Sequence, residues 1–202
     1  SVSVKDTAAN IALNMADLAT NVEKITNITQ KGTAAPLTMT ATQYASAGVT
    51  AALAKVQGNY SLSITGVAVA DAKTTADGNG RIVGMTLTGS AADVVSNLAD
   101  LNALGQKVTS ITQSDSTTTA IALTRDQWLN QTPVLDKLVG GYKATVSGVT
   151  AAQASEIAAD GHVSTVQISD SGANIQARLD DLQDLGAQIS GIAQSDSDAL
   201  TI

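Results

Sequence analysis

The sequence predicts an α/β fold: a repetitive α/β solenoid with short, mostly parallel strands, crossover helices and leucine-rich-repeat-like layering. Three observations predict it. Three segments of the chain, 2–30, 85–113 and 166–194, align with one another without gaps, and self-similarity of that kind marks a repeat architecture. Within each period, short strand-like runs alternate with amphipathic helical ones, which favours parallel strands. The apolar material is small: 44% of residues are hydrophobic, only 2% aromatic, and Phe and Cys are absent. Ala, Val, Leu and Ile suit thin regular layers better than one large core. The layout reads as a single elongated repeat domain, with copies at 1–80 and 81–161 and a partial copy at 162–202. Each coil would bury its apolar face only against its neighbours. No L-x-x-L-x-L-x-x-N run occurs, so the likeness is in layering rather than motif.

The first element of each copy, carried by the three aligned segments, is a strand followed by a helix and a second strand. Ile11, Met15 and Leu18 form an i, i+4, i+7 stripe, repeated as Val94, Leu98, Leu101 and as Ile175, Leu179, Leu182. That is the buried face of an amphipathic helix. Asp17, Asp100 and Asp181 share a column on the opposite, solvated side. Thr7, Ser90 and Ser171 stand where N-caps belong.

The second element spans 37–59 and 121–141. Thr40 with Gln43, and Thr124 with Gln127, have the T-x-x-Q spacing of a capping box, and Met39 with Tyr44 and Leu123 with Trp128 that of a hydrophobic staple. The Tyr/Trp column is therefore read as packing; a sugar-stacking platform is the other reading of a recurring aromatic. The third element spans 60–80 and 142–161. Tyr60 and Tyr142 open a strand, Gly66 and Gly148 close it, and a short Ala-rich helix follows. Thr150 with Gln153 has capping-box spacing again. Gly80 and Gly161 end the loop before the next strand.

One connection is too short for the pattern. Seven residues, 114–120, join the run ending at Gln113 to the one starting at Ile121, whereas a parallel crossover takes a dozen or more. It is either a hairpin or a non-helical corner. The string QSDS recurs at 113–116 and 194–197 and reads as an exposed polar corner.

The DTAANI, GVTAAQA and QSDS elements resemble the repetitive regions of very large, acidic, cysteine-free surface proteins of proteobacteria. These include adhesins exported by type I secretion and S-layer-like proteins. The resemblance implies an extracellular location at the bacterial cell surface. The G-G-x-G-x-D nonapeptide of their calcium-binding repeats is missing here, so calcium dependence is not implied.

Chemistry-bearing residues are sparse. The net charge of −7 excludes a phosphate-backbone partner, which needs clustered Lys and Arg. No eighteen-residue apolar run is present, so no membrane span is expected. The chain starts at Ser1 with no signal-peptide pattern, and Leu200–Ile202 matches Ile121–Leu123. Both ends are expected to cut through a repeat, leaving uncapped edges that pair with neighbouring repeats or copies of itself. His162, the only histidine, aligns with Arg81. Without Cys it cannot build a zinc site, and no G-x-S-x-G turn supports a catalytic triad. Neither catalytic nor metal residues are assigned. Calcium is the candidate cofactor, through Asp77 in DGNG or Asp115, Asp196 and Asp198 in the corners, but Lys31 replaces an acid in the first copy's corner. Solvated corners are the preferred reading, with folding independent of calcium. The expectation is a structural or spacer module of a surface layer, adhesin stalk or biofilm matrix, without catalysis. The alternative is a calcium-assisted adhesion module that binds a cell-surface glycan or protein.

Overall fold

The computed structural model describes residues 1–116 and 119–197, without the side chains of 131 and 132. The expected strand at Leu200–Ile202 and the carboxylate of Asp198 lie outside the described residues. The chain is α/β, with alternating strands and helices, and every described strand pairing is parallel. It divides into two compact units, 1–88 with 103–112, and 89–102 with 113–202.

In the first unit, β1 (Val2–Asp6) pairs with β2 (Ile25–Gln30). The helix between them is kinked into α1 (Ala8–Leu13) and α2 (Met15–Thr20) at Asn14. The Asn14 amide donates 2.8 Å to the Asn10 carbonyl, competing with the backbone ladder. The helical bonds Asn14 N–H to Asn10 and Leu18 N–H to Asn14 persist at 3.0 Å, so the stripe keeps its phase. Ile11 and Met15 are buried and Leu18 is half-buried. A four-stranded sheet follows in the order β3 (Leu37–Thr40), β4 (Leu62–Ala68), β5 (Ile82–Gly89), β6 (Val108–Gln113). Between its first two strands lie α3 (Ala41–Tyr44) and α4 (Ala47–Ala54); α5 (Ala72–Gly78) precedes β5. Helix α1 packs on β3 and α2 on α4.

The second unit repeats the plan. Helices α6 (Ala91–Ser96) and α7 (Leu98–Leu104) precede the sheet β7 (Ile121–Thr124), β8 (Ala144–Val149), β9 (Val163–Asp170), β10 (Ile189–Gln194). Helix α8 (Arg125–Leu135) joins β7 to β8, and α9 (Ala154–Ala158) joins β8 to β9. Between β9 and β10 lie α10 (Gly172–Ala177) and α11 (Leu179–Leu185). Alternate strand residues such as Ile121, Leu123, Val146, Val166 and Ile168 are buried. The opposite sheet face stays open, with Ala122, Thr124, Gln167 and Ser190 exposed.

Four expectations change. Gly66 and Gly148 do not close their strands. Each sits inside one at φ +70° and +71°, where the register shifts between Ile64 and Val67 and between Val146 and Val149. They are β-bulges in the left-handed region that glycine reaches freely. Strands β6 and β7 belong to different sheets, so 114–120 is not a hairpin. Leu179 is 42% exposed, although its counterparts Met15 and Leu98 are buried; the helix that packs on α2 is α4, and α11 has no such follower among the described residues. Thr150 and Gln153 share only a side-chain bond of 2.9 Å. The Gln153 N–H instead closes a tight turn onto the Thr150 carbonyl at 3.0 Å, and the helix starts one residue later.

Candidate functional site

The polar residues that recur with the repeat fall into four sets. The first lies at the helix starts. Thr7, Ser90 and Ser171 each accept a hydrogen bond from the N–H three residues on, as N-caps do. A carboxylate stands beside each, from the residue before the cap in the first and third copies and from three residues after it in the second. Asp6 accepts from Thr7 N–H at 2.8 Å and the Asn10 amide at 2.9 Å. Asp93 closes a capping box on Ser90, with its carboxylate 2.9 Å from Ser90 N. Asp170 repeats the Asp6 arrangement on Ser171 and Asn174 at 2.8 and 2.7 Å. The hydrogen bond from Asn10 and then that from the Thr7 N–H hold the Asp6 carboxyl below the usual range. The Ser90 hydroxyl and N–H do the same for Asp93, and the Asn174 amide leads for Asp170.

The second set is the QSDS corner, which is not simply polar and solvated. Gln113 is 8% exposed. Its amide donates to the Ser116 and Thr119 carbonyls at 2.9 and 3.1 Å, pinning the corner. Asp115 reaches back to the Ala91 N–H at 3.1 Å, and Asp196 to the Gly172 N–H at 3.0 Å. In the first copy Gln30 makes one such bond, to the Ala35 carbonyl at 2.8 Å. Gly32, at φ +84°, and not Lys31, stands at the corner position where the later copies carry Asp115 and Asp196. Asp77 pairs with Lys73 at 2.7 Å. Among the described residues no group of three His, Cys, Asp or Glu side chains could hold a metal ion.

The third set is aromatic. The Arg81 guanidinium lies 4.2 Å from the centroid of the Tyr60 ring. His162, at the aligned position, stacks on Tyr142 with centroids 4.5 Å apart and planes 11° from parallel. Its Nδ1 is 3.1 Å from Asp160. Burial, with the carboxylates of Asp136 and Asp160 nearby, pushes the Tyr142 phenol up to about 12. Burial also raises Tyr60, with Arg81 opposing. One face of each ring is thus covered by a side chain of the same unit. Trp128 is buried and Tyr44 half-buried. Cationic and imidazole partners two residues after an Asn or Asp were visible as a column but gave no sign of reaching back to the tyrosines.

The fourth set lines open surface. Hydroxyls on the exposed sheet faces donate to the neighbouring strand's carbonyl: Thr65 to Met39 at 3.4 Å, Thr109 to Met85 at 2.8 Å, Ser147 to Leu123 at 3.2 Å and Ser190 to Val166 at 3.1 Å. A shallow groove beside α1 is walled by Ala8, Ala9, Ala12, Pro36, Thr38 and Gln43. Its counterpart beside α6 is walled by Ala91, Ala92, Val95, Ala120 and Ala122. The single carboxylate there, Asp115, is the one bonded to the Ala91 N–H. The residues that wall the groove beside α1 include no charged side chain. The chain matches no family model, no curated protein and no solved structure.

Proposed function

We propose that the chain is a structural spacer module of a large extracellular bacterial surface protein, built as an α/β solenoid with leucine-rich-repeat-like layering and without catalysis. One observation carries this reading: the recurrent polar side chains are engaged in the fold itself. Asp6, Asp115, Asp170 and Asp196 satisfy helix-start N–H groups. Gln30 and Gln113 tie corners. The tyrosines stack on Arg81 and His162. A repeated module whose polar groups stabilise each copy has what a stalk or lattice needs. Small-angle scattering tests the solenoid. A radius of gyration well above the roughly 17 Å of a globule of this length is expected; a value near it removes the solenoid.

The second reading, a glycan- or protein-binding adhesion module, is favoured by the open hydroxyl-lined sheet face. A glycan array probed with the whole chain separates the two. The spacer reading expects no saturable binding. A glycan held by the chain and released by Thr145→Ala or Gln167→Ala would transfer the function to the sheet face.

A further inference from the structure

Asn79–Gly80 in the first copy aligns with Asp160–Gly161 in the second, and the two pairs form the same turn. In each, the side-chain oxygen takes the N–H two residues on, as in an Asx turn. Asn79 Oδ1 accepts from the Arg81 N–H at 3.0 Å, and Asp160 Oδ1 from the His162 N–H at 2.8 Å. The Ile82 N–H donates to the Asn79 carbonyl at 3.1 Å, and the Val163 N–H to the Asp160 carbonyl at 2.9 Å. Each turn then leads into a strand, β5 or β9. A carboxamide oxygen in the first copy thus stands where a carboxylate oxygen stands in the second.

The turn does not require its glycine. Gly80 lies outside the left-handed region, and a Cβ built on it would meet no atom within 4 Å. Gly80 is exposed, and among the described residues nothing accepts from its N–H. What the glycine supplies is chemical: an unhindered main-chain nitrogen beside a carboxamide. Asparagine is among the thermally labile side chains, and Asn79 is the only one in the chain followed by glycine.

We propose that Asn79 is a self-modification site, at which the Gly80 nitrogen displaces the side-chain nitrogen and the first copy's turn acquires the aspartate that the second copy already carries. The 79–80 peptide first swings away from its place in the turn, releasing the bond from Ile82. That opening is confined to an exposed loop, where local unfolding is easiest. The Gly80 nitrogen gives up its proton and bonds to Asn79 Cγ. The Cγ–Nδ2 bond breaks, and ammonia leaves with that proton. Water then opens the resulting five-membered imide. Cleavage at Cγ restores the main chain and leaves aspartate; cleavage of the other C–N bond leaves isoaspartate, with the main chain routed through Cγ. One water is consumed and one ammonia released, with no oxidant or reductant. The reaction adds one negative charge two residues before Arg81, where the second copy has Asp160 3.1 Å from the His162 ring. It is independent of the spacer reading.

The whole folded chain, held in mildly alkaline buffer and digested with trypsin at intervals, tests this. Cleavage after Lys73 and Arg81 isolates residues 74–81. Relative to a digest at time zero, this peptide should gain one mass unit, with one ammonia released per chain modified. Peptides carrying the other asparagines should keep their mass. Gly80→Ala, which has open space for its methyl group, should fold and hold the peptide at its starting mass over the same period. Asn79→Asp should melt at the parent's temperature, because the second copy builds this turn on aspartate. A mass gain seen only after denaturation in urea overturns the proposal. So does an equal gain in Gly80→Ala, or an equally fast gain at another asparagine. A clear loss of melting temperature in Asn79→Asp overturns it too, since the turn would then not accept the product.

Discussion

Residues 37–80 and 121–161 are built to one plan, and they differ in what fills it. The first copy breaks its helix after Tyr44 and restarts it at Ala47; the second runs α8 through without a break, with Pro133 inside. The path between paired strands is also slightly longer in the first copy, where Leu37 pairs with Leu62, than in the second, where Ile121 pairs with Ala144. The sheets do not register this difference. Four pairs join β3 to β4 and four join β7 to β8, and the bulge glycine falls at the same rung. The helical layer absorbs length changes, whereas the strand layer holds register, because a one-residue slip would turn every buried strand residue outward. The fillers follow the same rule. A half-buried Tyr44 becomes a buried Trp128, and a guanidinium over tyrosine becomes an imidazole.

The sharpest way to break this comparison is at the aromatic column. Trp128→Ala removes a buried ring and should destabilise the chain by about 3–5 kcal/mol, while Tyr44→Ala, at a half-buried position, should cost clearly less. Urea unfolding of both variants reads the difference. Equal losses, or a native emission spectrum that is red-shifted and open to quenchers, would show that Trp128 is not the packed member.

The corners give the next largest effect. Gln113→Ala removes the two hydrogen bonds that a buried amide makes, for about 1–3 kcal/mol in all at about 0.5–1.5 kcal/mol each. Gln30→Ala, with one bond at a half-buried site, should cost less. If Gln30→Ala proves the more damaging, the corners are not held in the way their hydrogen bonds indicate.

Much of this plan was legible in the sequence itself. The caps at Thr7, Ser90 and Ser171 and the boxes at Thr40 and Thr124 are local devices whose partners lie three residues away, so spacing alone identified them. The roles of Asp115, Asp196, Arg81 and His162 were not legible. Their partners lie a whole strand-to-strand step away in the chain, and only the strand register brings them together. The kink at Asn14 was hidden for a different reason: the apolar stripe passes through it unshifted. Gly66 and Gly148 were seen as punctuation, but a strand end and a bulge carry the same sequence signal.

Acid compares the helix starts across copies. The Asp6, Asp93 and Asp170 carboxyls are all depressed in the fold. Their contribution is present above the unfolded aspartate value near 4 and is lost as pH falls below it toward the folded values. Asp6→Asn and Asp93→Asn should each lose less stability than the parent between about pH 4 and pH 2. Parallel declines measured by denaturant titration would mean that these caps do not sense protonation.

The smallest effect is expected from metal. Melting temperature should change little between chelator and millimolar calcium, since Asp115 and Asp196 already serve N–H groups. A site filled at about 100 times its dissociation constant would add about 2.7 kcal/mol. An upward shift of several degrees would instead assign the corners a cation.

Trp128 lies in the second compact unit and is the chain's sole tryptophan. Light absorbed at the red edge of the aromatic band, where tyrosine is silent, therefore reports on one half of the molecule, whereas the helical signal of circular dichroism comes from both. Native protein carries a built-in optical probe of cooperativity. If the two traces superimpose during denaturation, the halves melt together. If fluorescence departs first or last, the molecule comes apart in stages, as arrays with mainly neighbour-to-neighbour coupling do.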